Sequence, residues 1–271
     1  MTGLYFSGTG NTKHCVEEFV RCFDTSNQAF SIETPELDRL LANENRIVFG
    51  HPTCYSNAPK IVRDFIMNHA AIFQRKEIFI IATMGIFSGD GTGCSARVLQ
   101  KCGAKVIGGL HLRMPDCIGD SKMLKKTLEE NQSLVRQADE KIYYAAKRLR
   151  EGRSLKDGLS IFHRIAGLFG QRLWYYGKSL TYKDKPDIDM ETCTKCGLCV
   201  KNCPMKNLEK IDGKIVHQKR CTMCYRCMNH CPVQAIVRLF FAFLSLSINY
   251  RQKISEHWFL ANFSHQYTLN R

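Results

Sequence analysis

Eight of the chain's 14 cysteines fall into two copies of one run, C-x-x-C-x-x-C-x-x-x-C-P. The first copy is Cys193, Cys196, Cys199 and Cys203, closed by Pro204. The second is Cys221, Cys224, Cys227 and Cys231, closed by Pro232. This spacing suits a [4Fe–4S] cubane, whose chemistry is one-electron transfer. Three thiolates separated by two residues each come from one tight loop, whose amides can turn toward the cluster sulfurs. The fourth sits a helical turn later and points away from that loop. The proline fixes the chain's exit because its φ is locked. Two zinc sites are the competing reading, since zinc also favours C-x-x-C pairs. Zinc, however, takes its four ligands as two pairs, not as proline-closed runs of four. Disulfides are a weaker alternative, because nothing suggests secretion.

A second chemical signal lies near the start. Residues 3–6 (GLYF) are a short apolar run that breaks into Ser7-Gly8-Thr9-Gly10-Asn11-Thr12, after which Val16, Phe19, Val20 and Phe23 share a helical face. Ser7, Thr9, Asn11 and Thr12 offer side-chain donors, and Gly8 and Gly10 let the backbone curl. The loop leads into a helix N-terminus, where free amides and the helix dipole favour a phosphate. It lacks the Gly-Lys-Ser/Thr of a Walker loop, and Lys13 stands where a dinucleotide fingerprint needs its third glycine. A phosphate held by hydroxyls and amides is what flavin mononucleotide (FMN) requires; an ordinary polar turn is the plainer alternative.

The elements that must position these groups alternate. Strand-like runs at 29–32, 46–50, 77–84 and 104–111 join the first at 3–6, with helical stretches near 36–43, 59–72, 93–102 and 122–150. Pro59 suits the first turn of its helix, and Ser121 can cap the long one. Five strands alternating with helices predict a doubly wound parallel sheet, with its ligand beyond the carboxyl ends of the strands. The glycine-rich GDGTG at 89–93 reads as loop and helix start. Between 151 and 183 comes an amphipathic linker with Ile161, Phe162, Ile165, Leu168, Phe169 and Leu173 on one face, followed by Trp174, Tyr175 and Tyr176. It is expected to pack the two halves together; a membrane-surface helix is the less favoured alternative. Residues 238–271 form an extension of unassigned role whose apolar stretch LFFAFLSLSINY is too short to span a bilayer.

At 271 residues the chain exceeds one small cluster domain, so a second domain is expected. No signal-peptide pattern opens it and no run of about 18 apolar residues occurs, which predicts a cytoplasmic protein. Cysteines 15, 22, 54, 94, 102 and 117 are scattered and read as reduced thiols. Of 39 basic and 25 acidic residues, residues 1–120 hold 12 of each, which leaves 27 basic and 13 acidic residues for 121–271. That excess would offset cluster charge and could steer an acidic redox partner, although a solvated basic face explains it as well. No nucleic-acid-binding motif appears.

YFSGTGNT at 5–12 resembles the phosphate loop of flavodoxins, and GHPTCYSNAPK at 50–60, RMPDC at 113–117 and CTMCYRCMNHCPVQAI at 221–236 extend the likeness. A flavodoxin-like half followed by a two-cluster half is similar to the flavodoxin–ferredoxin fusion proteins of anaerobic bacteria and archaea. The resemblance covers about residues 1–236. It implies a flavodoxin-like doubly wound five-stranded parallel sheet, order 2-1-3-4-5, over 1–150, plus a small α+β two-cluster ferredoxin domain over 184–237. The latter's two motifs occupy 184–212 and 213–237.

In such ferredoxins the fourth cysteine of each run ligates the other cluster. One cluster would then take Cys193, Cys196, Cys199 and Cys231, and the other Cys221, Cys224, Cys227 and Cys203. Ser7, Gly8, Thr9, Gly10, Asn11 and Thr12 would hold the FMN phosphate. Thr53, Cys54 and Tyr55 would border the isoalloxazine ring, with Thr83, Met84 and Gly85 beginning a second ring-side loop near Ile86 and Phe87.

The expected function is electron transfer between FMN and two [4Fe–4S] clusters, and on to a redox partner protein. One rival is an FMN-dependent oxidoreductase acting on a small substrate, for which no acid–base pair is evident; His14 and His51 read as surface or packing residues. The other rival is a redox-sensing or partner-binding module.

Overall fold

The computed structural model describes residues 1–117, 126–173 and 185–237. It divides into two units, Met1–Met114 with Leu134–Leu180, and Pro115–Ser133 with Thr181–Arg271. Ser121, Trp174, Tyr175, Tyr176 and the whole 238–271 extension lie outside the described residues.

In the first unit the order is β1 (Thr2–Tyr5), α1 (Asn11–Phe23), β2 (Ala29–Ser31), α2 (Leu37–Leu40), β3 (Arg46–Pro52), α3 (Lys60–Asn68) and α4 (Ala70–Phe73). Then come β4 (Glu77–Met84), α5 (Gly91–Lys101), β5 (Lys105–Arg113), α6 (Leu128–Arg150, in this unit from Leu134 onward) and α7 (Ile161–Gly167), the last running into a π-helical turn at Leu168–Arg172. All five strands are parallel and lie in the order β2-β1-β3-β4-β5. That is the expected doubly wound, flavodoxin-like order.

Helices cover both faces, so the central strands read as continuous apolar runs. Ile78, Phe79, Ile80, Ile81 and Ala82 of β4 are all buried. On one face Val16, Phe19 and Val20 of α1 and Ile142, Ala145 and Ala146 of α6 pack on Val48, Phe79, Ile81 and Leu110. Phe19 stacks on Phe79 with ring centroids 4.9 Å apart. On the other face Phe49 meets Phe73 edge-on at 5.7 Å. Gly50 lets α1 lie close over β3, because a Cβ there would run into the Val16 γ-methyl and stand 3.0 Å from Thr12 Cγ2.

Several elements depart from the sequence expectation. The helix expected at 36–43 is a single turn, and that at 59–72 breaks at His69 into α3 and α4. Pro59 stands one position before α3, as its N-cap. The described part of the long helix opens with a reciprocal capping box. Thr127 N–H donates to Glu130 Oε2 at 2.7 Å, and Glu130 N–H donates to Thr127 Oγ1 at 3.2 Å.

The described part of the segment expected to be a linker hydrogen-bonds to the first unit. Gly109 N–H donates to the Leu155 carbonyl and Asp157 N–H to the Gly109 carbonyl, both at 2.9 Å. This pairing covers the open edge of β5, which would otherwise present unpaired amides.

The second unit contains β6 (Asp187–Ile188), α8 (Leu198–Lys201), β7 (Leu208–Ile211), β8 (Lys214–His217), α9 (Arg226–Asn229) and β9 (Ile236–Val237). β6 pairs antiparallel with β9, and β7 with β8. Asp212 and Gly213 turn the β7–β8 hairpin with φ of 47° and 72°, the positive pair that a type I′ turn demands. Among the described residues no helix is long and apolar enough to cross a membrane.

Candidate functional site

The two cysteine runs fold alike. Lys195 and Met223, each two residues after the first cysteine of its run, have φ of 56° and 53°. Gly197 and Tyr225, each just after the second cysteine, have φ of 75° and 58°. These left-handed residues curl the loop so that amides face the sulfurs. Lys195 N–H donates to Cys193 Sγ and Met223 N–H to Cys221 Sγ, both at 3.4 Å. The fourth cysteine of each run is served in the same way, Asn207 N–H to Cys203 Sγ at 3.2 Å and Ala235 N–H to Cys231 Sγ at 3.3 Å. Asn207, which is buried, also ties the two cysteine motifs of the second unit together. Its Nδ2 donates to the Lys185 carbonyl at 2.8 Å, and its Oδ1 accepts from Arg220 N–H at 2.5 Å.

The eight thiols line two cavities. One is lined by Cys193, Cys196, Cys199 and Cys231 with Ile188, Ile215 and Ile236 among its apolar walls. The other is lined by Cys203, Cys221, Cys224 and Cys227 with Leu208 and Tyr225. Each run therefore sends its fourth cysteine to its partner's cavity. Among the described residues no three His, Cys, Asp or Glu side chains converge closely enough to hold a single metal ion. Four thiols standing around an open cavity suit a cubane better than a zinc ion bound at about 2.3 Å. Burial pushes the Cys221 thiol up to about 12 and raises Cys227 as well. Both thiols stay protonated until a cation is present to hold them as thiolates.

In the first unit, three loops meet at the carboxyl ends of the strands. The chain runs from β1 outward to β2 and then returns to β3, so the β1/β3 boundary is the topological switch point. The loop Ser7–Gly10 leaves β1 there. Ser7 Oγ accepts from Gly10 N–H at 3.0 Å, which closes the loop. Gly10 has a φ of 103°, and a Cβ there would meet nothing within 4 Å, so the space above it is open. α1 starts at the next residue without a side-chain cap. Its first-turn amides have no intrahelical acceptor and are suited to an anion. Thr12 is buried and points to β4, its Oγ1 lying 2.8 Å from Thr83 Oγ1.

Across the switch point, Cys54 and Asn57 exchange backbone hydrogen bonds at 2.9 and 3.0 Å around a turn. Tyr55 and Ser56 hold φ of 50° and 55° in it. Two successive non-glycine residues in that region store strain, which concentrates at binding loops. Thr53 Oγ1 is buried with no hydrogen-bond partner among the described residues. Met84 and Gly85 are half-buried at the end of β4, followed by exposed Ile86 and Phe87. An open cradle over an uncapped helix and an unsatisfied hydroxyl nearby fit a phosphate-bearing ring ligand such as FMN.

Residues with no signal in the sequence brace this region. Asp90 is fully buried, and two guanidinium groups meet it: Arg172 Nη1 at 2.6 Å from Oδ1 and Arg97 Nη2 at 2.8 Å from Oδ2. Arg172 Nη1 also lies 2.7 Å from Cys94 Sγ, and Ser56 Oγ donates to Gln171 Oε1 at 2.8 Å. The π-helical turn thus anchors both ring-side loops. The ring of His111 on β5 is held by two neighbours. Thr92 Oγ1 donates to the Asp157 carbonyl at 2.6 Å, so it accepts from His111 Nε2 at 3.1 Å, while Ser88 Oγ lies 2.7 Å from Nδ1. His51, fully buried, places Nδ1 3.0 Å from the Pro52 carbonyl and Nε2 2.8 Å from Ser95 Oγ. Burial lowers both imidazoles to about 4, so they are neutral. Most of these residues lie far from their partners in sequence, and they form no spaced motif.

Residues 185–232 match the family model of the 4Fe-4S dicluster domain. No curated protein matches the chain. Among solved structures, the two-electron reduced flavodoxin of Megasphaera elsdenii is 21% identical over 54% of this chain and 99% of that one, with a TM-score of 0.40. Flavodoxin 2 of Bacillus cereus is 17% identical over 56% and 97%, TM-score 0.40. The flavodoxin of Fusobacterium nucleatum bound to flavin mononucleotide is 18% identical over 56% and 98%, TM-score 0.37. The strand order is what assigns the fold of the first unit. The chain combines a flavodoxin-like unit with a 4Fe–4S domain, an architecture of redox and electron-transfer proteins.

Proposed function

We propose that the protein passes electrons between FMN held by the first unit and two [4Fe–4S] clusters held by the second, and from there to a redox partner. The observation that carries this reading is the division of the eight cysteines into two cavities, each with three thiols of one run and one of the other. When bound, FMN takes up two electrons and releases them singly, and each cluster carries one.

The chain's own residues do the rest. The amides opening α1, with Ser7, Thr9, Asn11 and Thr12, hold the FMN phosphate. Thr53–Tyr55 and Thr83–Gly85 border the ring. Amides of Lys195, Asn207, Met223 and Ala235, directed at cysteine sulfurs, tune the cluster potentials. Apolar walls such as Ile188, Ile215 and Leu208 restrict water at the clusters.

Protein purified without oxygen should contain about eight iron atoms and one FMN per chain. A visible and EPR titration should then show both cofactors being reduced. Zinc in place of iron, or a first unit that takes up no FMN, would overturn the reading.

A further inference from the structure

The two cavities differ at their rims. Of the eight cluster cysteines only Cys196 is exposed, and its neighbours Thr194, Lys195 and Leu198 are exposed with it. In the second run Met223, which matches Lys195, is buried, and Thr222 and Arg226, which match Thr194 and Leu198, are half-buried. A lysine pair frames the open rim, since Lys210 Nζ reaches the Lys195 carbonyl at 3.4 Å. Lys210 stands directly across the hairpin from Ile215, which lines the same cavity, so both side chains lie on the cavity face. Glu209 lies on the opposite face, where Gln218 Nε2 donates to it at 3.0 Å. Asp187 is paired with Lys185 at 2.7 Å. Residues 185–237 carry nine basic and five acidic side chains, with Glu191 the exposed acid preceding the first cysteine.

From this asymmetry we infer that the protein's external redox partner is an acidic protein that docks on the rim formed by Lys195, Cys196, Leu198 and Lys210. Electrons therefore pass through the cluster bound by Cys193, Cys196, Cys199 and Cys231. This rests on the electron-transfer function proposed above. A one-electron centre reacts fastest where its ligand reaches the surface. A lysine pair beside a small apolar contact steers an oppositely charged partner to that point.

The holoprotein, reduced without oxygen, can be mixed in stopped flow with cytochrome b5, an acidic acceptor, or cytochrome c, a basic one. With cytochrome b5 the rate should fall steeply as salt shortens the Debye length from about 30 Å at 0.01 M to about 3 Å at 1 M. Lys195→Glu/Lys210→Glu should lower the low-salt rate roughly tenfold, within the range that steering spans, and should flatten the salt dependence. Lys210→Gln should give a smaller loss in the same direction, should the double variant fail to fold. Lys214→Glu, on the other face of the same hairpin, should change the rate little. Cytochrome c should not be slowed by any of these changes.

The inference fails if Lys210→Gln and the double variant, with iron and spectrum intact, leave the cytochrome b5 rate and salt slope unchanged. It fails equally if Lys214→Glu slows the reaction as much as the Lys195→Glu/Lys210→Glu double variant. Wild-type protein with no reducible iron–sulfur signal would instead defeat the underlying function.

Discussion

Asp90 is a carboxylate with no access to water, stabilised by two guanidinium groups from separate parts of the chain. Removing it leaves two cations without their counter-ion. Asp90→Ala should therefore cost about 3–5 kcal/mol, the range for breaking a buried pair from one side. Arg172→Met should cost less, because Arg97 still neutralises Asp90, and urea unfolding of the two variants would rank them. An equal loss from both would mean that the two arginines act as one unit.

His14 illustrates the opposite, exposed case. Its Nε2 lies 2.7 Å from Asp139 Oδ1, linking α1 beside the phosphate loop to α6. The hydrogen bond to Asp139 raises its pKa above 6.5. With the folded value raised, the stabilisation is complete below the unfolded pKa and is lost as pH climbs through the folded one. Because the two side chains are 41% and 36% exposed, its size should not exceed about 1 kcal/mol. Asp139→Asn should reduce stability below pH ~6.5 and leave it unchanged well above the folded value. A loss of the same size at alkaline pH would show that packing, not charge, is at stake.

At the scale of elements, each cysteine run is a curled loop, a helical turn (α8 or α9) and a proline, and neither completes its own cavity. Cys203 closes the loop of the first run but lines the cavity of the second, and Cys231 does the reverse. Cys203→Ser should accordingly weaken the cluster held by Cys221, Cys224 and Cys227, and Cys231→Ser the one held by Cys193, Cys196 and Cys199. Iron should fall by about half in either case, from the two-cluster content. EPR should show which signal is lost, and selective loss of the cluster belonging to the same run would refute the crossed arrangement. In the first unit the segment from 154 to 172 works as a brace: it pairs with β5 at Gly109 and sends Arg172 into Asp90. Its apolar spacing reads as one helix, and α7 runs without a break into the π-helical turn, with Ile161, Phe162, Ile165 and Leu173 exposed.

For the molecule as a whole, pH acts through histidines of both kinds. His51 and His111 are buried and neutral, with pKa values of about 4. Above the unfolded value of about 6.5 they contribute no pH dependence. As pH falls from about 6.5 to 4 the unfolded chain binds protons that the folded chain refuses, so stability declines. Each histidine accounts for up to about 3 kcal/mol of that decline. The first unit should therefore unfold in acid with a steep limb over this window, followed by circular dichroism. His111→Gln should flatten it despite any loss at neutral pH, and an unchanged slope would place the acid sensitivity elsewhere. His14 runs the other way, gaining below pH ~6.5, but its exposed pair is too weak to offset the two buried rings.

Much of this was legible in the chain before any coordinates. β4 was readable because a strand buried on both faces is a run of consecutive apolar residues, and Ile78–Ala82 is one. The loop 7–12 was readable because hydroxyls and glycines must alternate where a backbone curls into a helix start. The cysteine runs were readable because the ligands of one loop are set by covalent spacing. What lies between distant segments has no such local signature. The partners of Asp90 stand 7 and 82 positions away, at Arg97 and Arg172, and nothing near any of them marks the pairing. The cover on β5 and the exposure of Cys196 against the burial of Met223 depend on which surfaces meet when the chain closes. Spacing along the chain determined which residues can hold clusters and phosphate. Only the tertiary structure decided which arginines meet the buried Asp90 and which cavity rim faces water, because burial is a property of the packed molecule and not of any short segment.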